Sequence, residues 1–238
     1  MSFQQGISLI ELLISLFISS LLLVLINQQY INTSQQYAQF QSIINQKNDL
    51  QMLIQLLRDS SRRSGFSPCG NIEGLVTRDL KAIHIDDEKK ELRLSRMSEL
   101  FSRLLEDKGR TILLEKNTRI RAGDTLIIAD CFHAETHRIK QSQANSVGQV
   151  LELEQPLIYQ YQDPVYAGLW IEESFSIEKN PQQTFSMFYR FNKKEELSDF
   201  IIGMKTELVR KKALRFLRII LKLKNETTVE LFTRVRAL

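Results

Sequence analysis

The beginning of the chain and the rest of it follow different hydrophobic patterns. Residues 7–26 form an almost unbroken apolar run, in which 15 of 20 positions are apolar and only Glu11 is charged. About 20 apolar residues, at a rise of 1.5 Å each, span the roughly 30 Å hydrocarbon core of a bilayer as a helix. The pattern therefore predicts a transmembrane helix.

The helical pattern continues beyond this run. From Tyr37 onwards, apolar residues recur at steps of three, four or seven, and neither Gly nor Pro occurs before Gly65. Arginines just before Gly65 are typical of a helix C-terminus. We expect one helix over residues 7–63, whose second half has a single apolar stripe and docks on a domain. A free coiled coil is the alternative, but no sustained heptad is evident.

The remaining residues, 64–238, are enough for one domain and change to short apolar or alternating runs, which predict strands. Among these strands the spacing predicts one helix, with Met97, Leu100, Phe101, Leu104 and Leu105 on one face, and a second helix from Glu195 to Leu208. The expected fold class is α+β, a long N-terminal helix packed on a mainly antiparallel β domain. Strands are expected at 81–85, 91–94, 111–114, 125–129, 150–153, 185–189 and 216–224.

Charge supports the division between the two parts. The chain has 32 Lys and Arg against 28 Asp and Glu, yet no Lys or Arg precedes Lys47.

A cleaved secretory signal is the alternative interpretation of residues 7–26. That signal would need a basic segment before the apolar run and a small-x-small cleavage site after it, and the sequence contains neither.

Glu11 is unusual because it lies inside the apolar run. A carboxylate at the centre of a membrane helix costs about 2.5–3.5 kcal/mol and is normally retained with a partner. One interpretation is that Glu11 lies near the membrane surface and reaches out to water. The other requires a cation, which cleavage after Gly6 would supply as a new α-amino group on Ile7.

The stretch Gly6-Ile7-Ser8-Leu9-Ile10-Glu11-Leu12 resembles the class III signal of type IV pilins, with a short hydrophilic leader before it and an apolar run after it. The resemblance implies that a prepilin peptidase removes residues 1–6 and methylates the N-terminus of Ile7. It also implies that Glu11 pairs with the amine of a neighbouring subunit during assembly. The first mature residue is Ile rather than the commoner Phe or Met, and the leader lacks the usual Lys or Arg.

Two later stretches, Arg62 to Cys69 and Ala122 to Cys131, are similar to PilW-type minor pilins. This resemblance implies a pilin-like minor subunit that helps to initiate or cap type IV pilus assembly in a tip complex. Its partners would be other minor and major pilins and a tip adhesin. It would be anchored in the inner membrane with residues 64–238 in the periplasm, and be incorporated at the pilus tip. A minor pseudopilin of a type II secretion system and a DNA-binding minor pilin for DNA uptake stay open as alternatives.

The chain has two cysteines, Cys69 and Cys131. A domain held outside the cytoplasm by an uncleaved anchor lies in an oxidising compartment, where an even pair usually forms a disulfide. Closing a loop of 62 residues would contribute about 4 kcal/mol. Two buried reduced thiols are the alternative.

Other chemistry finds little support. Cys131, His133, Glu135 and His137 alternate, so on a continued strand they would share one face and could ligate zinc. A disulfide at Cys131 would remove the best ligand, and we expect no metal and no cofactor. The chain has no Gly-x-Ser-x-Gly, phosphate-loop or His-Glu-x-x-His motif, so we expect no catalytic residues and no enzyme.

The C-terminal part is strongly basic. Residues 205–238 contain ten Lys and Arg against three Glu, a net charge of +7. Such a surface can bind nucleic acid, anionic lipid or an acidic partner. We expect a solvated strand edge instead, because the sequence shows no aromatic stacking array beside the charges.

Overall fold

A computed structural model describes residues 9–115, 120–211 and 214–236. Its only α-helix in these ranges, α1, spans Leu9–Arg63, which confirms the expected helix from Leu9 onwards; Ile7 and Ser8 lie outside the described residues. The chain divides into two compact units, Met1–Gln51 and Met52–Leu238. The last turns of α1 therefore belong to the same unit as the strands.

Helix α1 ends because of a change in backbone conformation at Gly65. The amide of Ser64 still donates to the carbonyl of Ser60, but Gly65 has a φ of +75°, and its amide donates to the carbonyl of Ser95. A side chain at Gly65 would also collide with Asn71, whose Oδ1 lies 2.3 Å from the position of a Cβ. Glycine is thus required there both by the left-handed backbone and by the close approach of Asn71.

In the described residues after α1, the regular secondary structure is all β-strand except for one short 3-10 turn at Ile72–Gly74. The strands are β1 (Phe66–Ser67), β2 (Gly70–Asn71), β3 (Ile83–Asp86), β4 (Glu91–Lys108), β5 (Thr111–Glu115), β6 (Thr125–Ala129), β7 (Ala134–Ala144), β8 (Gly148–Leu153), β9 (Tyr166–Lys179), β10 (Phe185–Arg190), β11 (Lys194–Ser198), β12 (Ile201–Lys211), β13 (Leu214–Leu223) and β14 (Thr228–Arg234). All the pairings between these strands are antiparallel, and the predicted α+β fold class is confirmed.

Six of the strands close into a ring. The nine-stranded sheet has the order β11-β10-β9-β6-β7-β8-β5-β4-β3, and β9 also pairs with β4. The extra pairing joins β4, β5, β8, β7, β6 and β9 into a small closed barrel. Its interior is a packed core and not a channel. The buried side chains that fill it include Ile112, Leu114, Leu126, Ile128, Ile139, Leu151, Leu153 and Ala167.

Strands β4 and β9 belong to the ring over one half of their length and to an open sheet over the other. β9 pairs with β6 over residues 166–169 and with β10 over residues 174–179. β4 pairs with β3 over residues 91–94 and with β5 over residues 104–108. The open sheet thus has the order β3-β4-β9-β10-β11, and the two long strands connect it to the ring.

A separate three-stranded sheet has the order β12-β13-β14, and β12 lies next to β10 and β9. One face of this sheet is buried and carries Thr206, Leu217, Ile219, Leu221, Leu231 and Thr233. Its other face is more exposed and carries charged side chains together with apolar and aromatic ones. This arrangement is the usual alternation of a sheet with one side in the core.

Both helices predicted within the β domain were wrong. The residues expected on one helix face, Met97, Leu100, Phe101, Leu104 and Leu105, lie on β4. A bulge places five residues of β4, Met97 to Phe101, against only three residues of β9, Gly168 to Trp170, and a second bulge follows between Leu104 and Glu106. The first bulge sets Met97 and Phe101 four residues apart, and Leu104, three residues further on, packs in a different apolar cluster from theirs. Together these steps imitate the spacing of a helix.

The second predicted helix, Glu195 to Leu208, consists of two strands instead. β11 ends at Ser198 and β12 begins at Ile201, and each pairs with a neighbouring strand. The seven predicted strands are confirmed in β3, β4, β5, β6, β8, β10 and β13, although Lys81 and Ala82 lie before β3 and Lys224 lies after β13.

Candidate functional site

The first described part of α1 is an apolar surface that the rest of the chain does not cover. From Leu9 to Ile26 every large apolar side chain is about half exposed or more. The hydroxyls of Ser15, Ser19 and Ser20 donate to carbonyls one turn earlier, so they are satisfied inside the helix. Among the described residues this is the one helix long and apolar enough to cross a membrane. Such a surface needs lipid or other helices around it.

Glu11 lies in the first described turn of α1, within this apolar surface. Gly6 and Ile7, the predicted cleavage junction, lie outside the described residues. Cleavage after Gly6 therefore stays a prediction.

The segment that follows α1 is fastened to the ring. Cys69 and Cys131 form a disulfide, which agrees with the interpretation of the two cysteines as a bridged pair. Close by, the amide of Val76 donates to the carbonyl of Phe132 at 2.7 Å, and the amide of Ala134 donates to the carbonyl of Val76 at 3.1 Å. The segment after α1 is thus held to residues 131–134 by one covalent bond and these two backbone hydrogen bonds.

A buried ion pair lies in the open sheet beside the end of α1. The guanidinium of Arg96 is 3.0 Å from the carboxylate of Glu173, and both side chains are less than a tenth exposed. Glu99 lies 3.8 Å from Arg96 and 3.9 Å from Arg63 in the last turn of α1. Burial, and then the charge of Glu173, raises the pKa of Tyr189 to about 12. This cluster connects the end of α1 with β4, β9 and β10 electrostatically.

Cys131, His133, Glu135 and His137 do not form the shared face considered from the sequence. β6 ends at Ala129 and β7 begins at Ala134, so Cys131 and His133 lie in the turn between two strands. The His133 ring stacks on Tyr159 with centroids 5.0 Å apart. His137 Nε2 lies 2.9 Å from Glu135 Oε2, but not in a hydrogen-bonding direction. The described residues contain no group of three or more potential ligands arranged to hold a metal.

Two buried carboxylates from this region hold the loop between β8 and β9. Glu135 accepts from the amide of Ile158 at 3.0 Å and from the Tyr161 hydroxyl at 2.8 Å. Asp130 accepts from the amide of Gln162 at 2.8 Å and from two amides of its own turn. Burial alone would raise the pKa of Asp130, but these amide donors lower it below its usual value. The arrangement is a structural clamp, which the sequence analysis missed.

The described basic residues of the C-terminal part lie on β12, β13 and β14, except Lys224, which follows β13, and Arg236, which follows β14. Four of them, Lys205, Arg215, Arg218 and Lys224, form ion pairs with carboxylates, and Lys212 lies outside the described residues. Arg215 pairs with Glu73 of the 3-10 turn and is mostly buried. The charge is therefore partly neutralised, in a pattern that depends on the strand register.

Comparison with known proteins gives one match. A family model described as the prokaryotic N-terminal methylation motif matches residues 1–27, a range that contains Gly6, Ile7 and Glu11. No curated protein and no solved structure matches the chain. The matched motif covers 27 of 238 residues, and together with the long apolar helix it supports a type IV pilin-like protein with a single-pass membrane anchor.

Proposed function

We propose that the protein is a minor pilin that helps to initiate or cap type IV pilus assembly. One observation carries the proposal: the matched methylation motif begins a helix that is exposed and apolar over residues 9–26 and continues without a break into a β domain. A soluble protein has no use for such a surface, whereas a subunit that passes from a membrane into a bundle of helices needs it in both places.

The N-terminal residues would act in two steps. A prepilin peptidase cuts after Gly6, and methylation of the Ile7 amine follows. The apolar helix then stays in the membrane until assembly, when Glu11 meets the N-terminal amine of a neighbouring subunit. A carboxylate in an apolar environment is costly without a cation, so this ion pair favours one axial register between subunits.

The β domain would contribute the surface that contacts other subunits. It would lie in the periplasm before assembly and at the pilus tip afterwards, beside other minor pilins and a tip adhesin. The Cys69–Cys131 disulfide fits an oxidising compartment. Because the disulfide fastens the segment after α1 to the ring, the domain surface keeps a fixed orientation relative to the last turns of the helix.

Substitution of Glu11 tests the proposal. Glu11→Ala should leave membrane insertion and cleavage intact, because a carboxylate is removed from the apolar run. It should lower the amount of surface pili and the recovery of partner subunits. Ser19→Ala is the matched control, because the Ser19 hydroxyl bonds only within its own helix. Normal piliation with Glu11→Ala would contradict the role of Glu11 in assembly.

The processing step is tested independently by intact mass. Protein extracted from membranes should begin at Ile7 and carry one added methyl group. A mass that retains Met1, or one that corresponds to a cut after Ile26, would overturn the assignment to pilins.

A minor pseudopilin of a type II secretion system would have the same N-terminal segment. Cross-linking in cells, followed by mass identification of the small pilin-like partners, distinguishes the two. Subunits of a pilus support the proposal, and subunits of a secretion system replace it with the alternative.

A further inference from the structure

The outer face of the three-stranded sheet combines aromatic rings with cations. It has five cations and two carboxylates, a net charge of +3, and the opposite face of the same strands is buried. We call this surface the outer face. Its residues are Lys205, Glu207, Val209 and Lys211 of β12, Phe216, Arg218, Ile220 and Lys222 of β13, and Glu230, Phe232 and Arg234 of β14.

The two carboxylates of the outer face are already neutralised. Arg218 lies between them, in contact with Glu230 and 3.3 Å from Glu207, and Lys205 is 2.7 Å from Glu207. The hydrogen bond from Lys205 lowers the pKa of Glu207, so this carboxylate stays ionised near neutral pH.

Three further cations of the outer face have no such neighbour. No carboxylate in residues 9–115, 120–211 or 214–236 forms an ion pair with Lys211, Lys222 or Arg234. These three side chains are exposed. They are therefore available to an anionic ligand without displacing an internal partner.

Strand register brings the two phenylalanines close together. Phe216 lies opposite Arg234, and Arg218 lies opposite Phe232, so the two rings are diagonal neighbours on adjacent strands. Diagonal neighbours on one face are about 7–8 Å apart. Phe232 is 56% exposed, with the Arg218 guanidinium 5.7 Å from its ring centroid, and Phe216 is half-buried.

We propose that the outer face binds single-stranded nucleic acid. Such a ligand has both flat apolar bases, which stack on aromatic rings, and regularly spaced phosphates, which attract cations. From Lys222 to Leu214, opposite Lys211, β13 runs for about 26 Å at 3.3 Å per residue. At roughly 3.4 Å per phosphate, that length accommodates at most about eight nucleotides.

Duplex nucleic acid and anionic membranes match the cations of the outer face but not its two rings. Duplex nucleic acid presents phosphates but keeps its bases stacked inside, and an anionic membrane has no planar groups to pair with two rings at a fixed spacing. The proposal does not rest on the proposed function, because binding is measured on purified protein and does not require pilus assembly.

Binding of a labelled oligonucleotide tests the proposal. Full-length protein in non-ionic detergent is titrated against a fluorescein-labelled thymidine oligonucleotide of about 12 nucleotides, and fluorescence anisotropy is recorded at 50–200 mM salt. Three phosphate contacts predict a slope of about −2 for log K against log salt. Arg234→Gln should reduce the magnitude of this slope by about 0.7.

Substitution of a ring separates stacking from charge. Phe232→Leu should weaken binding about five- to hundredfold with no change in the salt slope. Phe185→Leu is the matched control: Phe185 is another exposed ring, on β10, with Lys90 and Lys179 near it. Lys224→Gln is the control for charge, because Lys224 already pairs with Asp199. Melting temperatures establish that each variant is folded.

Several outcomes would overturn the proposal. The first two are no binding of the oligonucleotide at 50 mM salt and equal affinity for a duplex of the same length. The other two are equal loss of affinity in Phe232→Leu and Phe185→Leu, and wild-type affinity in Phe232→Leu. A further outcome would assign the outer face to a membrane surface instead. In that case the protein sediments with vesicles that contain anionic phospholipid, and Phe232→Leu binds the oligonucleotide as tightly as the wild type does.

Discussion

The disulfide between Cys69 and Cys131 should contribute about 4 kcal/mol to the stability of the β domain. It closes a loop of 62 residues. In the chain-entropy model, a cross-link over a loop of this size restricts the unfolded chain by about 4 kcal/mol. This is a large share of the roughly 5–15 kcal/mol that stabilises a typical domain.

The folded state should survive the loss of the bond. The hydrogen bonds of Val76 with Phe132 and Ala134 hold the same two segments together. The effect therefore falls mainly on the entropy of the unfolded chain, and the folded geometry is kept. For a domain of 150–250 residues, about 4 kcal/mol corresponds to a decrease in Tm of about 8–16 °C.

The assay compares Cys69→Ser, Cys131→Ser and the double variant by thermal unfolding of full-length protein purified without reductant. Each single variant should lower the Tm by nearly the same amount as the double variant, because each one removes the whole bond. Wild-type protein with added reductant is the control and should behave like the variants. Two free thiols titrated in wild-type protein without reductant, or additive effects of the two substitutions, would refute the reasoning.

Three further predictions concern the buried polar groups and one glycine of the domain. Arg96→Ala should lower the free energy of unfolding in urea by about 3–5 kcal/mol, because Glu173 stays buried without its cation, and Arg96→Met combined with Glu173→Leu should restore much of that loss. Because the pKa of Asp130 is lowered in the folded protein, its ionised carboxylate contributes to stability at pH values above the ordinary pKa of 3.8. This contribution is lost as the pH falls through the folded-state pKa. The amides that Asp130 binds should therefore stay protected from hydrogen exchange at the ordinary value of 3.8 and lose protection only at lower pH, and they should be less protected at every pH in Asp130→Asn. Unchanged protection would contradict the clamp. Gly148→Ala should cost about 1–3 kcal/mol in thermal unfolding, because the new Cβ would lie 2.0 Å from the carbonyl oxygen of Leu114.

The regularity of apolar spacing along each segment explains which elements of the fold could be predicted. Helix α1 was predictable because its apolar run contains no Gly or Pro, and helix formation there depends on nothing else in the chain. Residues 97–105 of β4 were mistaken for a helix because a bulge sets Met97 and Phe101 four residues apart and Leu104 packs in a separate apolar cluster. β9 was missed for a related reason: its neighbour changes from β6 to β10 along its length, so no single face of it is buried throughout.

The site residues also divide into those that the local sequence indicates and those that depend on contacts between distant parts of the chain. Glu11 could be proposed as an assembly residue, and the two cysteines as a bridged pair, because both interpretations start from short stretches of sequence; the bridge is present in the structure, and the role of Glu11 stays a prediction. The clamp by Asp130 could not, because Gln162 reaches it across 32 residues of chain through the topology of the ring. The pairing of rings on the outer face was also invisible, because Phe216 and Phe232 become neighbours only in the observed register of β13 and β14.

Because β4 and β9 belong both to the ring and to the open sheet, they limit where related sequences can change in length. The same two strands complete the walls of both cores, so neither core can be deleted, exchanged or duplicated as a separate module without breaking the other. The lengths of residues 91–108 and 166–179 are therefore constrained twice over. Insertions should accumulate instead in exposed turns such as residues 224–227, which leave the shared ladder in register.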